Sequence, residues 1–152
     1  MSLKTSDDTP PSPAHKPAGW RLILVWTLQV VAAVILAQTL FFKFTGAEEA
    51  RYIFTTLGVE PWGRWLAGIA ELVTVILLLT PRLAGFGAAL ALGTMVGAIG
   101  AHLGPLGIEV LDDGGTLFAL GIIVSLASIG VLILRRRELL AHIAALQTRL
   151  RG

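Results

Sequence analysis

Four long apolar stretches alternate with short polar segments along the chain, at about residues 22–42, 62–80, 83–102 and 116–134. Each approaches the roughly 20 residues that an α-helix needs to cross the hydrocarbon core of a bilayer. The pattern predicts an all-α fold, an integral membrane bundle of four helices within residues 19–137. Those spans leave no room for a separate soluble domain.

The two ends of the chain follow different patterns. Residues 1–18 contain four prolines and no apolar periodicity, which predicts a disordered cytoplasmic tail. In residues 138–152 leucine and isoleucine recur at helical spacing among arginines. This pattern predicts an amphipathic helix on the anionic cytoplasmic surface of the membrane. A positive stop signal followed by a frayed tail is the alternative.

Composition supports a lipid-embedded protein and narrows its chemistry. Charged residues make up 14% of the chain and hydrophobic residues 55%, whereas soluble domains average roughly 25% charged residues. The sequence shows no interleaving of basic and aromatic residues of the kind that would indicate a nucleic-acid partner. The absence of cysteine excludes dithiol chemistry and thiolate metal sites. We therefore expect no metal and no intrinsic cofactor, and a single histidine near the bilayer, His102, cannot supply both axial ligands of a haem.

The distribution of lysine and arginine predicts the orientation. Nine of these residues lie in the two tails and the second loop, against three in the first loop, Lys43, Arg51 and Arg64. Because cytoplasmic segments carry the excess of positive charge, both termini are predicted to be cytoplasmic.

Glu71 is the clearest candidate for a functional residue. It is the only unambiguous carboxylate inside an apolar stretch, and it lies roughly 13 Å along the second span from Trp62, near mid-bilayer. An ionisable group at this depth is costly and usually functional. The alternative is a neutral, hydrogen-bonded glutamate that holds the bundle together.

Several other polar residues share one side of the membrane with the start of that span. Lys43 ends the first span, His102 ends the third, and Asp112 and Asp113 precede the fourth. We predict an outward-opening polar pocket formed by Glu71, Lys43 and His102 and closed by the third loop with its two aspartates. The alternatives are an interface anchor for Lys43, a helix cap for His102, and a turn with an N-cap for the aspartates.

The third span is rich in small residues, including the pair Gly93 and Gly97 at small-x-x-x-small spacing. Such pairs let helix backbones approach closely in lipid. Packing inside the bundle is one interpretation, and a homodimer interface is the other.

Several short segments stand in a characteristic order: Phe42-Lys-Phe-Thr-Gly46, Leu57-Gly-Val-Glu-Pro61, Gly97-Ala-Ile-Gly-Ala-His-Leu103 and Asp113-Gly-Gly-Thr-Leu-Phe118. From about residue 26 to residue 137 the chain resembles the DoxX family of small bacterial membrane proteins. The resemblance implies a four-helix bundle in the bacterial inner membrane. By this resemblance, the polar positions typical of the family correspond to Lys43, Glu71, His102 and Asp113.

DoxX-family members are similar to small subunits of thiosulfate:quinone oxidoreductase. The resemblance therefore suggests a quinone-interacting subunit of a membrane oxidoreductase complex, with electrons supplied by a soluble partner. Lys43 or His102 would donate to a quinone carbonyl and Glu71 would relay the proton. Two alternatives remain open, a structural or assembly protein without catalysis and a small proton-coupled transporter that acts as an oligomer.

Overall fold

The computed structural model describes residues 19–151, so the predicted disordered tail lies outside the described residues. Within this range the chain is helical and contains no strand: α1 (Gly19–Thr45), α2 (Glu48–Thr56), α3 (Trp62–Leu79), α4 (Ala84–Leu103) and α5 (Thr116–Arg151). Four of these helices, all except α2, are long and apolar enough to cross a membrane. The predicted all-α, four-span architecture is confirmed.

The four spanning helices form a closed ring in which α1 packs on α3, α3 on α4, α4 on α5, and α5 on α1. Small and aliphatic side chains fill its centre: Ala32, Ala33, Leu36, Leu78, Ala88, Ala91, Val124 and Val131. Because lipid tails are as apolar as leucine, close packing rather than water exclusion holds such helices together.

Helices α3 and α4 lie in close contact beside the turn that joins them. A Cβ atom placed on Gly87 would lie only 2.6 Å from the backbone nitrogen of Leu78. Any side chain at position 87 would therefore push the two helices apart. Gly93 and Gly97 differ, because a Cβ on either would meet no atom within 4 Å. The interpretation that this pair packs inside the bundle is wrong, and the homodimer interface stays a prediction.

Helix α2 was not predicted from the apolar stretches. Its apolar residues Ala50, Ile53 and Phe54, together with Leu57, recur at i, i+3, i+4 and i+7, and all four are buried or half-buried. This spacing is the signal of an amphipathic helix. Acidic residues in its first turn suit the positive end of the helix dipole. The first loop is thus a short helix lying against the bundle.

Helix α5 is a single helix of 36 residues. The C-terminal segment predicted as a separate surface helix is helical, but it continues the fourth span without a break after Leu134. At 1.5 Å per residue α5 is about 54 Å long, well beyond the roughly 30 Å hydrocarbon core. Its first turn past the arginines packs on α4, where a Cβ on Gly85 would lie 3.3 Å from the Leu139 side chain.

Candidate functional site

Glu71 and Lys43 form an ion pair between α3 and α1. The Nζ atom of Lys43 lies 2.9 Å from Oε1 of Glu71, and the hydroxyl of Thr39 donates to Oε2 over 3.0 Å. Glu71 is only 5% exposed. Because both carboxylate oxygens accept a hydrogen bond, the cost of burying this charge is partly offset. The predicted proximity of Lys43 and Glu71 is present in the structure.

Arg64 fixes the end of α1 that carries Lys43. Its Nη1 donates to the backbone carbonyl of Lys43, one of the C-terminal carbonyls that lack a partner within a helix. Its Nε lies 2.9 Å from Oε1 of Glu60, and its guanidinium lies over the ring of Trp65. In the sequence Arg64 was counted among the positive charges of the first loop, and its ion pair with Glu60 was not predicted. The i, i+4 spacing from Glu60 was the available signal of an ion pair.

A cavity of about 310 Å³ adjoins the ion pair. Its walls come from all five helices and are mainly apolar, with five polar side chains: Thr39, Lys43, Glu71, Thr94 and His102. The structure thus brings the three predicted residues, Glu71, Lys43 and His102, to one cavity. Its wall at the α2 end is formed by apolar residues: Ile53 and Phe54 of α2, Leu57 directly after α2, and Leu106 of the loop between α4 and α5.

The orientation of His102 is set by one backbone hydrogen bond. Its Nδ1 lies 2.9 Å from the carbonyl oxygen of Gly107, and a carbonyl can only accept, so Nδ1 carries the proton. The ring also meets Phe118 edge-on at 5.8 Å between centroids. In a neutral ring Nε2 is then an acceptor. His102 is therefore suited to accept a hydrogen bond from a ligand hydroxyl, and it would donate to a ligand carbonyl only as an imidazolium.

The third-loop aspartates do not line the cavity. The carboxylate of Asp113 accepts hydrogen bonds from the backbone N–H groups of Val110, Gly115 and Leu117, each at 2.9 Å. Asp112 is exposed. The expected closure of the pocket by these acids is therefore not seen, and Asp113 instead shapes the loop and the start of α5, as the turn and N-cap interpretation holds.

Partial burial of Asp113 acts to raise its pKa, but three backbone hydrogen bonds and the nearby charge of His102 act against it. These stabilise the ionised form, so the net effect lowers the pKa of Asp113 from its ordinary value of 3.8. The carboxylate therefore stays charged and keeps the loop folded at neutral pH.

The model of the DoxX-like family matches residues 27–111. The chain belongs to the DoxX-like family. No curated protein and no solved structure matches the chain. The matched region contains Lys43, Glu71 and His102 but ends before Asp113. Family membership thus covers the ion pair and most of the cavity wall of this DoxX-like bundle.

A second polar cluster of the DoxX-like bundle lies at the opposite end and was missed from the sequence. Arg135 is 8% exposed and donates from Nε to Oε1 of Gln29 over 3.1 Å. Its Nη1 donates to the carbonyl of Pro81 over 2.8 Å and to Glu138 over 2.7 Å. Arg135 was counted only as a positive charge beside the membrane. The available signal of a partner for Arg135 was Gln29, a polar residue within the first apolar stretch.

Within residues 19–151 of the DoxX-like chain, no group of three or more His, Asp or Glu residues could hold a metal ion. The polar groups at the cavity are one ion pair, two hydroxyls and one imidazole, beside a mainly apolar space.

Proposed function

We propose that the cavity binds a quinone and that the chain is a quinone-interacting subunit of a membrane oxidoreductase complex. The observation that carries this proposal is the pair of half-buried Lys43 and buried Glu71 at the wall of a mainly apolar cavity within a membrane bundle. Ligand pockets typically combine apolar walls with a few placed polar groups. A quinone, an apolar ring with a carbonyl at each side, matches that combination.

Three polar side chains at the cavity would each have a different role in the reduction of such a ring. Lys43 has three donors and uses one on Glu71, so another can donate to a quinone carbonyl. Two-electron reduction to the hydroquinone also takes up two protons. Glu71 relays one proton to the oxygen that Lys43 contacts. His102, when it holds a second proton as an imidazolium, gives that proton from Nε2 to the other oxygen and then accepts a hydrogen bond from the hydroxyl formed there. The electrons come from a soluble oxidoreductase partner, since we expect no redox cofactor on this chain.

The size of the cavity suits the head group of such a ligand. Its volume of about 310 Å³ is at the small end of ligand pockets, which run from roughly 300 to 1,000 Å³. A substituted ring fits this space, whereas a long isoprenoid tail needs room outside it.

The proposal can be tested on the purified protein in lipid nanodiscs. The wild type should retain duroquinone, a tailless benzoquinone, above the amount held by empty nanodiscs. Lys43→Met should weaken binding about tenfold, because it removes one charge-assisted hydrogen bond. Arg51→Met is the matched control, since Arg51 is an exposed cation at the same end of the bundle.

Two outcomes would contradict the proposal. One is a wild type that retains no more quinone than empty nanodiscs, which would favour the structural or assembly role. The other is equal weakening by Lys43→Met and Arg51→Met, which would mean that surface charge rather than the cavity governs retention.

We further propose that the protein resides in a bacterial inner membrane with both termini in the cytoplasm, so that the Lys43 end faces outward. The excess of positive charge at the other end supports this orientation. The chain has no cysteine, so a single cysteine at Glu109 or at Arg137 can be labelled selectively in whole cells. Labelling of the Glu109 position only from the cytoplasmic side would overturn the orientation.

A further inference from the structure

We propose that the cavity opens sideways into the bilayer between α3 and α4, at Gly97, and that the apolar tail of the ligand leaves through this opening. The inference rests on the proposed quinone site and deepens it. It assigns the ligand to tailed, membrane-dissolved quinones and assigns the tail a path.

The first observation is that α3 and α4 are in close contact near their connecting turn but leave free space further along α4. Next to the turn, a Cβ on Gly87 would lie 2.6 Å from the backbone of Leu78, so the two helices touch. Further along α4, a Cβ on Gly97 would meet nothing within 4 Å. There is therefore free space beside Gly97, in the half of the helix pair that also borders the cavity.

The second observation is the wall of the cavity on α4. Thr94, Gly97, Ala98 and Ala101 line it, and their i, i+3, i+4 and i+7 spacing makes them one continuous helix face. Met95, Ile99 and His102 line it from the adjacent face of the same helix. The four residues of the first face are small, and so is Ala67 on α3. A face without bulky side chains at this depth leaves a passage rather than a closed wall.

The third observation is that the passage reaches the outside of the bundle. Gly97 lines the cavity and is also exposed. Its neighbour Val96 is 65% exposed on the outer surface of α4, and Leu66 is 60% exposed on that of α3. Exposed aliphatic side chains on spanning helices contact lipid tails. An opening at Gly97 therefore leads into the hydrocarbon core and not into water.

The α2 end offers no comparable path. The aromatic and aliphatic side chains of Phe54, Ile53, Leu57 and Leu106 form the wall there. An apolar tail leaving at that end would enter water, where each exposed methylene costs about 0.8 kcal/mol. A tail passing between α3 and α4 stays in an apolar medium along its whole length.

The experiment compares Gly97→Leu with Gly93→Leu in nanodiscs. A Cβ atom at either position would meet no other atom within 4 Å, so both variants should fold. Gly97 lines the cavity and Gly93 does not. Two probes are used, tailless duroquinone and a benzoquinone that carries a polyisoprenoid tail. The readout is the ratio of the two affinities.

Leucine at position 97 fills the opening, so we expect the tailed quinone to lose about tenfold in affinity relative to the tailless one. Gly93→Leu should leave the ratio at its wild-type value. An unchanged ratio in Gly97→Leu, or the same shift in both variants, would overturn the sideways opening while leaving the quinone site intact. A wild type that binds neither probe would instead overturn the proposed function itself.

Discussion

Each end of the bundle holds a cation among polar partners, half-buried Lys43 at one end and buried Arg135 at the other. At the Lys43 end, a flexible ammonium pairs with Glu71 at the wall of a cavity. At the Arg135 end, a planar guanidinium donates to an amide, a backbone carbonyl and a carboxylate. Lysine is a point charge that can turn to a new partner, whereas arginine presents a rigid fork of donors.

The two clusters also differ in how many parts of the ring they join. Arg135 joins α5 to Gln29 of α1 and to the turn at Pro81, so three parts of the ring depend on it. A polar network whose members are satisfied makes a core rigid and specific. The Lys43–Glu71 pair joins only α1 and α3 and keeps unused donors beside open space. That arrangement is suited to exchanging partners with a ligand.

The largest effect is expected at the Arg135 end. Arg135→Ala leaves the buried Gln29 and the Pro81 carbonyl without their donor, so the free energy of unfolding should fall by about 3 kcal/mol. Arg136→Ala is the control, because Arg136 is exposed and should change stability by less than about 0.5 kcal/mol. Unfolding in mild detergent, followed by circular dichroism, measures both. Equal losses in the free energy of unfolding for Arg135→Ala and Arg136→Ala would contradict the structural role of Arg135.

At the Lys43 end a smaller cost in stability is expected. Glu71→Leu should change the free energy of unfolding by no more than about 1 kcal/mol, because the Lys43 stem can swing its charge towards the surface. The same unfolding measurement tests this. A loss as large as that of Arg135→Ala would show that the pair is chiefly structural.

Glu71→Gln tests whether Glu71 transfers a proton to the ligand. A glutamine has nearly the shape of glutamate, so the fold should be kept, but it cannot carry a proton. Proton uptake during reduction of bound duroquinone, followed with a pH indicator, should slow about a hundredfold. A wild-type rate in Glu71→Gln would rule out proton relay by this residue.

The smallest effect concerns the third loop. Because the pKa of Asp113 is lowered in the folded protein, its contribution to stability is complete above the ordinary value of 3.8. It is lost as the pH falls through the lowered pKa. Asp113→Asn should therefore reduce this acid-dependent loss of stability. An acid unfolding profile identical to that of the wild type would assign the dependence to another group, such as Glu109, which bonds Gly114 in the same loop.

Sequence patterns predicted the spans well, because the apolar length needed to cross a bilayer is a strict requirement. They also predicted the Lys43–Glu71 neighbourhood, since antiparallel connections place the end of α1 beside the start of α3. The Arg135–Gln29 contact could not be predicted. It joins residues 106 positions apart and depends on the rotation of α5 against α1, which apolar spans with few polar residues do not specify.

Helix α2 could have been found from the sequence. The stripe of Ala50, Ile53, Phe54 and Leu57 has helical spacing, but the segment is too short to span a membrane and was interpreted as a loop. A pocket at Glu71, Lys43 and His102 was predicted, but its mainly apolar walls were not, since they depend on where the small side chains of α4 lie relative to α3. The sequence could not decide between the two roles considered for the third-loop aspartates. Only the backbone geometry shows that Asp113 bonds its own loop.

The ion pair has one consequence for a cell that maintains a voltage across its membrane. A lysine and a carboxylate 2.9 Å apart carry no net charge together, so exchange of the proposed neutral quinone beside them would move no charge through the electric field. A proton delivered to Glu71 does move charge, at about 2.3 kcal/mol per 100 mV for a full crossing. Ligand retention in vesicles should thus be independent of an imposed potential, while the rate of proton delivery should follow it.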